Sequence, residues 1–162
     1  MNVILNWNGD YQGSDFMEIV NRKAKHNYFI DEVYEAGIVL TGTEIKSVRG
    51  GNCNIGDSYG IVKNGEVFLL NMFIAPYKEG NIFNHQENRT RKLLLHKKEI
   101  KKISQAIELK GNTLVPLKLY FKDQLLKVSL GICHGKKDYD KRDSLKEKDM
   151  RREVQKNLKN YR

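Results

Sequence analysis

Cysteine is nearly absent, with two in 162 residues. Cys53 and Cys133 stand 80 positions apart, with no second cysteine or histidine at metal-ligand spacing, so neither a disulfide framework nor a zinc knuckle is expected. Both thiols read as buried or idle. No apolar run approaches the roughly 20 residues that a bilayer span needs. No Lys or Arg precedes Arg22, and Val3, Ile4 and Leu5 are the only apolar cluster near the start. The features of a secretory signal are therefore missing, and a cytoplasmic protein is expected. Catalytic signatures are scarce as well: the chain has no H-E-x-x-H, C-x-x-C or Walker lysine loop. No metal and no cofactor is expected, and no enzyme. The surviving catalytic reading is a small basic nuclease with His26, His85 or His96 as acid and base beside Glu35 or Asp57, and no motif supports it.

What the chain has is positive charge, a formal +9 at pH 7. Hydrophobic residues at 40% and charged residues at 30% fit a globular protein with a single core. The charge is unevenly spread: net −3 over residues 1–20, +7 over 21–135 and +5 over 136–162. A basic body and tail attract polyanions and release their counterions on binding. An anionic membrane is the weaker partner, because no segment joins a basic face to the bulky apolar face that interfacial helices use. Nucleic acid is the stronger one.

Residues 28–40 are rich in aromatic and β-branched types and predict a long strand, bent or bulged at Gly37. Thr43–Arg49, stopped by Gly50-Gly51, predicts a short helix. Two apolar runs between Tyr59 and Asn71 flank Asn64-Gly65, the dipeptide of a type I′ hairpin turn. Leu93–Leu95 suggests a brief strand. Lys97–Leu109 then places Ile100, Ile103, Ala106 and Ile107 on one helical face and ends at Gly111. Thr113–Phe121 and Leu125–Ile132 should pair as a second hairpin. The expectation is a mainly β fold: an OB-like closed antiparallel barrel with about three flanking helices and a basic C-terminal tail.

That tail has no Gly or Pro after Gly135 and sets Met150, Val154, Leu158 and Tyr161 in a thin apolar stripe. Pairs such as Glu147 with Arg151 add roughly 0.2–0.5 kcal/mol each to a helix, which seldom holds an isolated helix together. A segment disordered when free and helical against a partner is expected. The alternative is a terminal helix docked on the barrel.

Several strings, in order, carry a resemblance: Asn21-Arg22-Lys23-Ala24, Tyr28-Phe29-Ile30, Glu35-Ala36-Gly37, Gly42-Thr43-Glu44-Ile45-Lys46-Ser47, Asp57-Ser58-Tyr59, Arg91-Lys92-Leu93-Leu94-Leu95-His96, Thr113-Leu114-Val115-Pro116-Leu117, Gly135-Lys136-Lys137 and Asp140-Lys141-Arg142. Over residues 18–162 the chain resembles the bacterial small protein B (SmpB) family. The resemblance implies an OB-fold barrel over residues 18–135 that binds the tRNA-like part of transfer-messenger RNA. It further implies delivery of that RNA to stalled ribosomes for trans-translation, the rescue that tags the unfinished peptide for degradation. The tail, residues 136–162, would lie in the empty mRNA channel beyond the 16S rRNA decoding centre, in place of codon–anticodon pairing. Elongation factor Tu and alanyl-tRNA synthetase are implied as indirect partners through the RNA. A monomer is expected.

The RNA-binding residues so assigned are Asn21, Arg22, Lys23, His26, Tyr28, Glu35, Lys46, Arg91, Lys92, Leu94 and His96. Those of the tail are Gly135, Lys136, Lys137, Tyr139, Asp140, Lys141 and Arg142. The residue types agree with this, since single-stranded RNA is read by stacking and hydrogen bonds while cations position its backbone. Strand alternation sends only one of Tyr28 and Phe29 outward, and Tyr28 is expected to be that one. Alternation puts Leu94 and His96 on one strand face, where one could be core while the other touches the RNA. Arg89, Arg91, Lys92, Lys97, Lys98, Lys101 and Lys102 form a second basic cluster, read as phosphate contacts. The sequence departs from the family pattern at Phe73, at Gln86-Glu87-Asn88 and at His134, and residues 1–16 match nothing in it. Residues 1–17 are read as a flexible extension, with Met17 as a possible native start. The rival binding reading is a general single-stranded RNA module of OB type.

Overall fold

The computed structural model describes residues 4–5, 11–12, 18–80 and 84–160. Within the N-terminal extension, β1 (Ile4–Leu5) pairs antiparallel with β2 (Tyr11–Gln12); Met17 lies outside the described residues, as does Tyr161 of the tail stripe.

The body is one antiparallel sheet built from β3 (Glu18–Val20), β4 (Tyr28–Ile38), β6 (Tyr59–Lys63), β7 (Glu66–Leu70), β9 (Arg91–Leu94), β10 (Thr113–Lys122) and β11 (Leu125–Gly135). Its order is β11-β4-β9-β7-β6-β10-β3, and β10 also pairs with β11. Six strands thus pair in a circuit that returns to its start, with β3 added along the same edge of β10 as β6. The tightest point is Gly60 opposite Leu114, where an added Cβ would stand 2.6 Å from Leu114 Cδ2; only glycine lets β6 approach β10 there. β5 (Cys53–Asn54) and β8 (Phe73–Ile74) form a separate small ladder.

Both expected hairpins form. Asn64 and Gly65 take positive φ between β6 and β7, as do Asp123 and Gln124 between β10 and β11. The interior is filled by inward strand residues, among them Val67, Leu69, Leu93, Leu114, Leu119, Val128, Leu130 and Ile132, all buried. Each such side chain contributes roughly 1.5–3 kcal/mol of transfer free energy. α3 (Lys97–Lys110) packs Ile100, Ile103, Ala106 and Ile107 on this core, as the spacing predicts, and ends at Gly111 with φ 64°. α2 (Gly42–Arg49) opens with a capping box between Thr41 and Glu44 and buries Val48.

The bend in β4 is not at Gly37. Gly37 pairs regularly with Lys127 and Leu94; the register skips between Ile132 and Cys133, leaving Asp31 as the extra residue. Glycine at 37 serves contact instead, since a Cβ would lie 3.3 Å from Leu94 Cβ. α1 (Arg22–Asn27) has too few turns for periodicity to announce it. It covers a second small cluster, Ala24, Val115 and Cys133, with Tyr28 and Leu117 beside it. α4 (Asp138–Asn160) runs 23 residues without one buried side chain, a rod of about 35 Å.

Candidate nucleic-acid interface

Strand alternation decides which β4 residues face outward. Tyr34 and Ala36 pack inward, so Val33, Glu35 and Gly37 line the outer face. The Glu35 carboxylate accepts hydrogen bonds from Tyr120 Oη and from Lys122 Nζ, the latter at 3.4 Å. The Tyr120 bond is the main cause that holds the carboxyl below its ordinary range, with Lys122 adding to it. Burial and the same carboxylate push the Tyr120 hydroxyl up to about 12. Lys118 ion-pairs with Glu18 at 2.6 Å and stands 5.4 Å from the Tyr120 ring. Glu35 is thus an ionised, fixed acceptor on an open sheet face.

Leu94 lies against Gly37 on this face and is 52% exposed. His96 is also exposed, at the N-cap of α3. Neither enters the core, because the strand ends at Leu94 and the chain turns into the helix. Lys92, on the same side of β9, pairs with Glu66 at 2.8 Å. Lys46 is exposed on α2, 5.2 Å from the Tyr77 ring.

At the other end of β4, α1 presents Arg22, Lys23, Lys25 and His26 to solvent, with Lys23 paired to Asp57 at 2.9 Å. An open groove of about 620 Å³ runs beside it, lined by Asn27, Tyr28, Gly56, Asp57 and Tyr59 among others. Tyr28 is partly buried against the α1 cluster, which reverses the expected orientation. Phe29 is the exposed ring at 39%, 5.2 Å from His134 and 4.9 Å from Lys136 Nζ.

Two expected RNA ligands turn out to be internal supports. Asn21 is 3% exposed: its Oδ1 accepts from the Ala24 N–H as N-cap of α1, and its Nδ2 donates to Ile55 O and Pro116 O at 3.2 and 2.9 Å. Arg91 is 0% exposed. Its Nε donates to Glu44, Nη1 to Met72 O at 2.6 Å and Nη2 to Glu87 O at 3.3 Å. Arg89 donates to the other Glu44 oxygen at 2.6 Å. Burial raises the Glu44 carboxyl, and Arg89, the Thr41 N–H and Arg91 more than reverse it, leaving it below the ordinary range. A buried guanidinium without a carboxylate would be costly; Glu44 supplies that carboxylate, so Arg91 of the second basic cluster serves the core. The exposed network Tyr120–Glu35–Lys122 was not visible beforehand, because 85 positions separate Glu35 from Tyr120.

The tail begins at Gly135. Lys136 N–H donates to Asn27 O at 2.8 Å, and its Nζ donates to Lys25 O and Ser144 Oγ, both at 3.0 Å. Asp140 accepts from the Lys137 N–H at 3.1 Å. Tyr139 is 58% exposed and Arg142 is exposed, while Lys141 is half-buried. Met150, Val154 and Leu158 are 60, 57 and 64% exposed.

Of the residues named for catalysis, several have other partners. His85 bonds Thr43 and Ile74 O at 2.9 and 3.0 Å, while Asp57 and Glu35 are taken up by lysines and a tyrosine. Burial holds the Cys53 and Cys133 thiols up to about 12 and about 11, so both stay protonated.

The chain resembles known proteins over most of its length. Its residues 18–160 match the model of the SmpB protein family. An SsrA-binding protein of Clostridium acetobutylicum is 56% identical over 88% of this chain and 92% of its own. One from Geotalea uraniireducens is 59% identical over 83% and 89%. A chain of the solved structure "tmRNA-SmpB: a journey to the center of the bacterial ribosome" aligns with TM-score 0.64 and 44% identity, covering 79% of this chain and 94% of that one. With the family model matched from the start of β3 to the end of α4 and relatives this similar, the chain belongs to the SmpB family.

Proposed function

We propose that this protein binds the tRNA-like part of transfer-messenger RNA through the outer sheet face and α1, and brings that RNA to stalled ribosomes for trans-translation. One observation carries the reading: an ionised Glu35, fixed by Tyr120 and Lys122, lies on an open face beside an exposed Leu94. A carboxylate accepts from ribose and base donors, which phosphate-binding lysines cannot do, and so adds selectivity to electrostatic attraction. Arg22, Lys23 and His26 lie toward the other end of β4, about 25 Å away at 3.3 Å per residue. A folded RNA, rather than a short single strand, spans that distance. The circuit of strand pairings supports an OB-like barrel as the platform, over residues 18–135.

The second job belongs to residues 136–162. α4 is cationic, has no buried side chain and carries the exposed stripe Met150, Val154 and Leu158. Such a segment suits an anionic groove, and we assign it to the vacant mRNA channel and 16S decoding centre, with Lys137, Tyr139, Lys141 and Arg142 meeting ribosomal RNA. Lys136 joins them once released from α1. The reading assigns the chain no catalytic step; elongation factor Tu and alanyl-tRNA synthetase act on the RNA, in the cytoplasm.

A gel shift tests it against the general single-strand alternative. At matched salt the protein should prefer the tRNA-like domain over unrelated transcripts by at least tenfold. Equal affinity for both would refute the assignment.

A further inference from the structure

α3 carries a dense cationic patch outside the face described above. Its apolar side is fixed by Ile100, Ile103 and Ile107 on the core. At about 100° per residue, Lys97, Lys98, Lys101 and Lys102 fall in an arc of roughly 140° centred opposite that side, and all four are exposed. The helix's acids are engaged locally: Glu99 accepts from the His96 N–H at 3.2 Å and Glu108 from the Ser104 hydroxyl at 3.3 Å. Among the described residues, none of the four lysines is ion-paired.

Their placement works against the helix. Lys97 and Lys98 stand in its first turn, where the dipole disfavours cations. A charge pattern that opposes local stability belongs at a working surface. Its position fits the same ligand, since β9 leads from Leu94, on the Glu35 face, through His96 directly into the first turn of α3.

We infer that Lys97, Lys98, Lys101 and Lys102 form a phosphate rail, a second surface that grips the sugar-phosphate backbone of the tRNA-like RNA without reading its bases. The inference rests on the function proposed above. Backbone contacts set position and affinity but carry no sequence information, so specificity stays with the Glu35 face.

The test uses the full chain and the variant Lys98→Gln/Lys101→Gln/Lys102→Gln, titrated with the tRNA-like domain across a salt series. Losing three phosphate contacts should flatten the slope of log affinity against log salt by about 2–3. The preference over unrelated transcripts should stay unchanged, and the melting temperature should hold or rise. A folded variant with the wild-type slope overturns the rail while leaving the proposed function standing. So does loss of preference along with slope, or an effect confined to ribosomes or to anionic vesicles. A wild type without preference for the tRNA-like domain strikes instead at the function itself.

Discussion

Two carboxylates illustrate how differently the same side chain is used. Glu44 is buried between Arg89 and Arg91, and Glu44→Gln leaves the wholly buried Arg91 cation uncompensated. A loss of roughly 3–5 kcal/mol in unfolding free energy follows, measurable by denaturant titration. The sign of its pH dependence is fixed by the depressed folded value: the contribution is complete above the unfolded carboxylate range and disappears as pH falls through the folded one. The gap between wild type and Glu44→Gln should therefore close in acid. Glu35, by contrast, is exposed. Glu35→Arg should shift stability by less than about 0.5 kcal/mol and weaken binding of the tRNA-like RNA by roughly 10- to 100-fold, the worth of a hydrogen bond to a charged group. Arg91 was misread from sequence because a basic run looks like a surface; its acid stands 47 positions away. Asn21 was misread because a polar residue among cations gives no sign that two carbonyls await it. Glu35 and Leu94 were legible only through family strings.

Among elements, those with a local cause were the readable ones. Asn64-Gly65 dictates its turn, and α3 announces both its face and its stop. The β4 bulge at Asp31 was not readable, since it answers to the register of β11, a hundred positions on. α4 is the element whose state in solution its contacts argue least for, because no side chain is buried and surface pairs contribute little. Amide exchange on the free protein should show weak protection across residues 145–158, rising when the ribosome is bound. Strong protection in the free protein would contradict a segment that folds on its partner.

For the whole molecule, body and tail carry separable charge, net +7 over residues 21–135 and +5 over 136–162. Truncation after Gly135 removes the Lys136 ties to α1 but no core contact. The shortened protein should bind the tRNA-like RNA with affinity within about tenfold of wild type at matched salt, and should fail to support tagging on stalled ribosomes in a reconstituted translation reaction.

A helix that shares nothing with the core has an evolutionary consequence. Changes at the exposed positions of α4 leave the folding equilibrium of the sheet nearly untouched, so proteases and chaperones that triage unfolded chains do not see them. On the proposed function, drift there is policed by rescue itself, and a thermal-shift screen would pass inactive tail variants as healthy.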